Sequence, residues 1–583
     1  MSSHPTPGRS LWRVTSRLDP PRWLRAVLAA VAIALGIYLI SRPIASLGAL
    51  VWFIGAGFVL QGVLVLTEED DDQPRWWRVA ETLAWIAAGV VIVAFGGFTL
   101  RVLVVIIAVA LVVRGVRQVV TALRGQGTVD SRIASGAFGV ASIAFGLLAV
   151  LWSDITLVVT AVVFGAWLIM TGLAELRRAW RPGDPEPLRR PGRARRFVRT
   201  VTALVTVAIA VGAVVISVNV RSDTPDVDDF YSAPKNIPET PGVLIRSASF
   251  TREVPPDARA WRILYSTTRG DGSPAVASAL VVVPKNGAGR WPVIDWNHGT
   301  TGYAQPCAPS LLAQPFESGA MFVLPEIIKR GWAMVATDYI GLGTKGPHPY
   351  LIGVDSAHAS LDAVRAARSL KPADLGADTV VWGHSQGGGA ALWTGALAPS
   401  YAPDVTLGGV AALAPASNLP GLIGNLPNVT GGSVFSSFAV AAYIATYPDV
   451  TWHGAIRPGA EPIVRAMSQR CLSGPGVLVS VLSALSLTRD PDIFVSDPTR
   501  GALGKRLAQN VPPPTIGVPL LIGQGEADGL ITPAAQREYV DTIRKAGHQV
   551  DYRTYPGLGH VDLVEAKSPL IPQLLEWTAA RFE

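Results

Sequence analysis

The residues of this chain whose types and spacing suit chemistry centre on Ser385. Val380-Val381-Trp382 reads as an apolar strand and Gly383-His384-Ser385-Gln386-Gly387 as a Gly-x-Ser-x-Gly turn. Ala390, Ala391, Leu392 and Trp393 then open a helix. A serine on such a strand-to-helix turn is held exposed on a strained backbone, the arrangement of a nucleophile elbow. Gly383 and Gly387 lack a Cβ, so strand and helix can close around the serine. The backbone N–H of Gln386 then lies at a helix N-terminus, facing the place where an oxyanion develops during acyl transfer.

A serine hydroxyl is a poor nucleophile at neutral pH. It needs a general base within hydrogen-bond reach, and the base needs an orienting carboxylate. Asp528 and Glu526 both follow the apolar strand at 519–522, where a parallel sheet presents its functional edge. His560 ends the segment Tyr555-Pro556-Gly557-Leu558-Gly559-His560, a loop able to swing an imidazole over the serine. His548, in Lys545-Ala546-Gly547-His548, reads as a solvated turn residue, and Asp562 as exposed. A second oxyanion donor is expected in Asn297-His298-Gly299-Thr300-Thr301-Gly302, the loop after the third sheet strand. The backbone of either Thr300 or Thr301 would supply it, with His298 in a structural hydrogen bond.

The elements that must hold these groups alternate along the second half of the chain. Strands are expected at 263–267, 277–283, 293–296, 332–339, 379–382, 410–413, 519–522 and 549–555, with helices at 360–370 and 571–582. Alternation of this kind argues for a mostly parallel sheet covered on both faces. Residues 415–514 interrupt it with Gly- and Pro-rich turns and helical pieces at 435–446 and 475–487. Their apolar content exceeds what a solvated loop needs, so they are expected to form a helical cap over the site.

The chain is 583 residues long, 49% hydrophobic and only 16% charged, with a net charge of +7. The charge does not indicate nucleic acid, because its arginines flank apolar segments. Seven segments suit bilayer crossing, which takes about 20 apolar residues in a helix. They lie at 23–40, 44–66, 82–98, 100–123, 133–152, 155–173 and 198–218. The first six form three repeated hairpins. Gly36 and Gly62, Gly89 and Gly115, and Gly146 and Gly172 are each 26 residues apart, and the hairpins turn at Ser41-Arg42-Pro43, Gly96-Gly97 and Ser153-Asp154. Repetition at a fixed period implies copies of one unit packed side by side, with glycines allowing close helix approach in lipid. Asp154 reads as a loop residue at a hairpin tip. Arg9, Arg13, Arg17, Arg22 and Arg25, then Arg114, Arg117, Arg124 and Arg132, then nine arginines from Arg177 to Arg199 fall on one side of seven spans. That side should be cytoplasmic, which leaves everything after the seventh span outside. The expected division is a basic tail (1–22), a six-helix repeat (23–176), an Arg/Pro-rich loop (177–197), a seventh span (198–220), a linker (221–240) and a catalytic-type domain (241–583).

Two family resemblances follow. From about residue 20 to 176 the tripled hairpin resembles the HdeD-like, DUF308 short-repeat membrane family, which is linked to acid resistance and implies architecture more than activity. From about residue 240 onward the chain looks like the secretory lipase family, α/β-hydrolases related to Candida antarctica lipase A. The matching stretches are Asn297-His298-Gly299-Thr300, Cys307-Ala308-Pro309-Ser310, Asp338-Tyr339-x-Gly341-Leu342-Gly343, His348-Pro349-Tyr350, Gly383 to Gly387, Asp528 and His560. The Asp-Gly-x-Ile-x-Pro context looks like that family's acid turn, which favours Asp528 over Glu526. The resemblance implies hydrolysis of lipid or other carboxylic esters, a capped site, no cofactor and no metal. It also implies a disulfide between Cys307 and Cys471, which an extracytoplasmic location permits.

The expected fold is therefore an all-α transmembrane bundle, three hairpins plus one further span, followed by an α/β-hydrolase domain with a helical cap. The expected activity is ester hydrolysis through Ser385, His560 and Asp528. An acyltransferase would use the same residues, and a membrane stress sensor with a ligand-binding hydrolase-like domain is the rival from another class. The expected partners are a lipid or other ester substrate, the membrane and further copies through the repeat, with no nucleic acid.

Overall fold

The computed structural model describes residues 22–67, 75–125, 128–180, 193–222, 225–287, 289–473, 480–481, 484 and 492–583. Of the sequence expectations, Arg9, Arg13 and Arg17, most of the loop at 177–197 and most of the piece at 475–487 lie outside the described residues. Contacts divide the chain into two compact units, Met1–Gly212 and Ala213–Glu583.

The first unit is helical. Its helices are α1 (Arg22–Ser41), α2 (Pro43–Thr67), α3 (Arg75–Ala94), α4 (Gly96–Leu123), α5 (Val129–Leu151) and α6 (Ser153–Trp180); α7 (Arg193–Ser222) runs across the division. Among the described residues five helices are long and apolar enough to cross a bilayer: α1, α4, α5, α6 and α7. In α2 and α3 the apolar stretches are shorter, Ala45–Leu60 and Val79–Ala94. Large apolar side chains such as Ile106, Val109, Val163 and Trp167 point outward, a surface suited to hydrocarbon. The third helix begins at Arg75, seven residues before the apolar stretch expected from residue 82, and Phe98 belongs to α4. The turn between them is at Phe95, not at Gly96-Gly97, and both glycines are buried in the first turn of α4. Thr99 Oγ1 donates across this turn to Ile92 O at 3.0 Å, and Thr156 does the same to Ala149 O at 3.3 Å. Asp154 is not a solvated loop residue. It is buried in the first turn of α6, where a carboxylate faces the positive end of the helix dipole.

The repeat pairs differently from simple hairpins. α1 packs on α6, α2 on α3 and α4 on α5, while α2, α4 and α6 meet one another. The 26-residue glycine pairs therefore serve two different neighbours. A Cβ on Gly36 would lie 2.5 Å from Gly165 O, one on Gly89 2.6 Å from Gly55 O, and one on Gly146 2.9 Å from Ala108 O. Gly62, Gly115 and Gly172 face Thr82, Gly139 and Ala29 in the same three interfaces. Equivalent positions Leu47, Leu100 and Leu157 fill the centre with Val51 and Val104.

The second unit is built on a nine-stranded sheet: β1 (Leu244–Phe250), β2 (Ala258–Thr268), β3 (Pro274–Pro284), β4 (Trp291–Asn297), β5 (Ala333–Ile340), β6 (Leu375–His384), β7 (Leu407–Leu413), β8 (Leu520–Gly525) and β9 (Asp551–Tyr555). The order is β1-β2-β3-β5-β4-β6-β7-β8-β9. The first three pairings are antiparallel and the remaining five parallel. β1 has no counterpart in the sequence expectation. It is a half-exposed edge strand without a continuous apolar run, and its presence makes 291–297 the fourth strand, not the third. The helix expected from residue 360 begins at Gly353.

Alternation along the buried strands feeds two cores. Ala277, Ala279, Val281 and Val283 of β3 join Val335 of β5 on one face, while Leu280 and Val282 join Met334 on the other. The helix Gly353–Arg368 covers the first face and Leu570–Phe582 the second. β6 lies centrally, and its Trp382 is fully buried with Nε1 donating to Thr578 Oγ1 at 3.0 Å. Between β7 and β8 the chain leaves the sheet through the helices Leu419–Asn425, Gly432–Thr446, Trp452–Ala455, Glu461–Ser468 and Gly501–Gln509.

Candidate active site

The chain leaves β6 at His384 and enters the helix Gln386–Tyr401 two residues later. Ser385 between them has φ 59° and ψ −119°, a left-handed backbone that a non-glycine residue adopts only when its surroundings hold it there. Its N–H donates to Leu413 O at 2.9 Å, and its carbonyl accepts from Gly389 and Ala416 N–H. The flanking glycines are required sterically. A Cβ on Gly383 would lie 2.0 Å from Gly387 O, and one on Gly387 1.9 Å from Asn297 O.

Ser385 Oγ is 2.8 Å from His560 Nε2, and His560 Nδ1 is 2.7 Å from Asp528 Oδ2. With Nδ1–H donated to the carboxylate, Nε2 is left to accept the serine proton. Asp528 is fixed in turn. Its Oδ1 accepts from the N–H groups of Leu530 and Ile531, each at 2.9 Å, and Oδ2 from Gln524 Nε2 at 3.4 Å. Glu526 points elsewhere, accepting from Thr554 at 2.8 Å, and Asp562 accepts from Gly559 N–H at 3.1 Å. His548 follows the end of the helix Pro533–Lys545 and is half-buried, not fully solvated.

Four neighbours of this line hold it in shape. His384 Nε2–H donates to the carbonyl of His560 at 3.0 Å, with the two rings 4.7 Å apart. Burial pushes the His384 pKa down to about 3, so the ring stays neutral beside the imidazolium that His560 would form. His348 Nδ1–H donates to Ile340 O at 3.0 Å, leaving Nε2 to accept from the Gln386 amide at 3.2 Å. Burial likewise drops His348 to about 3. His298 donates from Nδ1 to Gly299 O at 2.6 Å and is buried, with its pKa pushed down to about 4. Gln524 also bonds Ile531 O at 3.0 Å, tying the acid turn to β8. Gln524, His348 and the Gln386 side chain had no assigned role in the sequence. A glutamine inside an apolar strand is the one local sign that Gln524 has buried partners.

The structure separates the two threonines. Thr300 lines a narrow cleft together with Ser385, Gln386, Tyr350, Leu351, Phe435 and further apolar residues. Thr301 is buried, and its carbonyl accepts from Leu472 N–H at 2.7 Å. Beside it Cys307 and Cys471 form a disulfide with Cα atoms 5.2 Å apart, joining the cap to the core. The cap also supplies Leu422, Ile423, Leu426 and Phe435 to the cleft, so its roof is apolar. Among the described residues no group of three or more His, Cys, Asp or Glu side chains is placed to hold a metal ion.

The family model described as secretory lipase matches residues 316–583. A short repeat of unknown function, DUF308, matches three times, at 27–94, 80–146 and 137–188. A secreted triacylglycerol lipase of Malassezia globosa is 26% identical over 381 residues, covering 60% of this chain and 77% of its own. A protein of Mycobacterium tuberculosis described as a probable inactive lipase is 25% identical over 390 residues, 62% of this chain and 83% of its own. Among solved structures, the closed state of Candida antarctica lipase A is 22% identical with a TM-score of 0.49, covering 61% of this chain and 85% of that one.

Proposed function

We propose that this chain, which matches the secretory lipase model over residues 316–583 and the DUF308 short repeat three times within 27–188, is a membrane-anchored serine hydrolase of carboxylic esters, a lipase or esterase working outside the cytoplasm. The observation that carries this reading is the unbroken line Asp528–His560–Ser385 at 2.7 and 2.8 Å, lying under an apolar cap.

In the proposed reaction Ser385 Oγ attacks the ester carbonyl while His560 Nε2 takes its proton. Asp528 stabilises the imidazolium through Nδ1–H. The tetrahedral oxyanion is met by the backbone N–H groups of Gln386 and Thr300; one such donor is worth about 2.7–4 kcal/mol. His560 then protonates the leaving alcohol. Water deacylates Ser385 by the same steps in reverse, with His560 as base. The cleft's apolar lining suits an acyl chain, and among the described residues no charged side chain lines it.

The topology rests on the arginines. Those at and before the start of α1, at and between the facing ends of α4 and α5, and at and between the facing ends of α6 and α7 share one side of seven spans, the cytoplasmic side by the positive-inside rule. The second unit then lies outside, where the Cys307–Cys471 disulfide is stable.

A second reading, a ligand-binding domain without turnover, is favoured by one relative's description as a probable inactive lipase. The two are separated with the full-length protein in detergent micelles, using p-nitrophenyl esters of short to long acids and a fluorophosphonate probe. Wild type is expected to turn over and to label, and Ser385→Ala to do neither. Folded wild type that neither hydrolyses nor labels would leave the binding reading.

A further inference from the structure

We propose that the side-chain hydroxyl of Thr300 is a third donor to the oxyanion and that Tyr350 is the positioning residue that aims it. This rests on the hydrolase reading above. An oxyanion has lone pairs for three hydrogen bonds, and two backbone N–H groups leave one unused. A hydroxyl placed there makes a charge-assisted bond only once the negative charge has formed.

The path of the chain brings Thr300 to that place. Asn297 pairs with Gly383 in the parallel register of β4 and β6. Its carbonyl lies against Gly387, so closely that no Cβ fits between them. Two residues on, a Cβ on Gly299 would sit 3.5 Å from the carbonyl of His384. The loop therefore runs along the nucleophile turn, and Thr300 is the residue of it that lines the cleft with Ser385 and Gln386.

Tyr350 lines the same cleft, and its OH is 2.9 Å from Thr300 Oγ1. A phenol is the more acidic of the two hydroxyls and an aliphatic oxygen the better acceptor, so Tyr350 donates. The Thr300 hydrogen is then released from this pair and free to turn into the cleft. Tyr350 is itself fixed. It is buried, its ring meets the cap residue Phe438 edge-on at 5.9 Å, and it packs 6.1 Å from His348, whose Nε2 holds the Gln386 side chain. Thr301 has no such access: it is buried, and the cap's Leu472 occupies its carbonyl.

The test uses the full-length protein in detergent with a soluble short-chain ester. Thr300→Val keeps the backbone donor and the side-chain volume, and is expected to lower kcat about 10²-fold with KM little changed. Thr300→Ser restores the hydroxyl and should lie within a few-fold of wild type. Tyr350→Phe should lower kcat about tenfold when Thr300 is present and have no further effect in Thr300→Val, as for a residue that acts through the threonine. Thr300→Val with kcat within twofold of wild type overturns the third donor. An equal loss from Tyr350→Phe in both backgrounds overturns its positioning role. Fluorophosphonate labelling of Ser385 separates these failures from the larger one: an inactive, unlabelled wild type defeats the hydrolase reading, whereas an active wild type matched by Thr300→Val defeats this inference alone.

Discussion

Gly387→Ala is the most demanding test of how the elbow and the oxyanion loop are built. A Cβ at residue 387 would stand 1.9 Å from Asn297 O and 2.5 Å from Asn297 C, where ordinary contact begins near 3.4 Å. The deficit is roughly 1.5 Å, and all the nearby atoms are backbone, so no side chain can turn away to relieve it. Asn297 ends β4, which is held between β5 and β6. The strain must therefore go into the loop that follows, and Thr300 moves with it. Misplacement by about 1 Å at such a site lowers rates on the order of 10²-fold, or about 2.7 kcal/mol of transition-state stabilisation. The expected result is a fall in kcat of at least about 10²-fold. The matched control is Gly529→Ala, beside Asp528, where an added Cβ meets nothing within 4 Å; its activity should be unchanged. Both variants are compared with wild type by ester hydrolysis and by tryptophan-fluorescence melting in detergent. Gly387→Ala that hydrolyses within threefold of wild type would refute the close contact and the account of the loop built on it.

Two further outcomes are expected. Burial pushes the Asp295 carboxyl up to about 7, against an ordinary value near 3.8, although Ser360 Oγ donates to it at 2.6 Å. The unfolded chain gives up this proton near pH 4 and the folded one near 7, so stability is present below pH 4 and lost as pH rises through 7; about three units amount to about 4 kcal/mol. Asp295→Asn removes that loss, so its melting temperature minus that of wild type should grow between pH 4.5 and 8, and a difference that stays flat would show that Asp295 ionises normally. Replacing both Cys307 and Cys471 by Ser opens a link between residues 164 apart and should lower the stability of the second unit by about 2–5 kcal/mol. Denaturant melts with and without dithiothreitol check this, with the variant expected to be indifferent to the reductant.

What was legible in the sequence was local. The elbow is readable because glycines on both sides of Ser385, a buried strand before it and small residues after it all serve one close contact. The positions of Asp528 and His560 follow from strand ends, and the structure sets both within hydrogen-bond distance of one another. Asp528 and Glu526 stand two residues apart on the same turn, and the N–H groups of Leu530 and Ile531 hold Asp528 inward while Thr554 draws Glu526 outward. That distinction depends on the turn's own backbone, which spacing alone does not reveal. Thr300 and Thr301 are adjacent and alike. A partner 50 residues away, Tyr350, and another beyond the cap, Leu472, give them different surroundings. β1 was invisible because an edge strand needs no apolar run, only a neighbour with free backbone groups.

The membrane repeat shows the same boundary between local and distant causes. The turns at residue 42, Phe95 and Trp152 and the glycines 26 residues apart are properties of one unit, and each unit carries them. Which helix a glycine faces is not. Gly89 lies against Gly55, from the preceding unit, and Gly146 against Ala108, also from the preceding unit. Gly36, at the matching place in the first of these three units, lies against α6 of the third. Its neighbour there is Gly165, so the three units close on one another and the three interfaces are equivalent. Closure therefore buries the same glycine-lined surface in each of the three units, and it accounts for α1 packing on the helix farthest from it in the repeat.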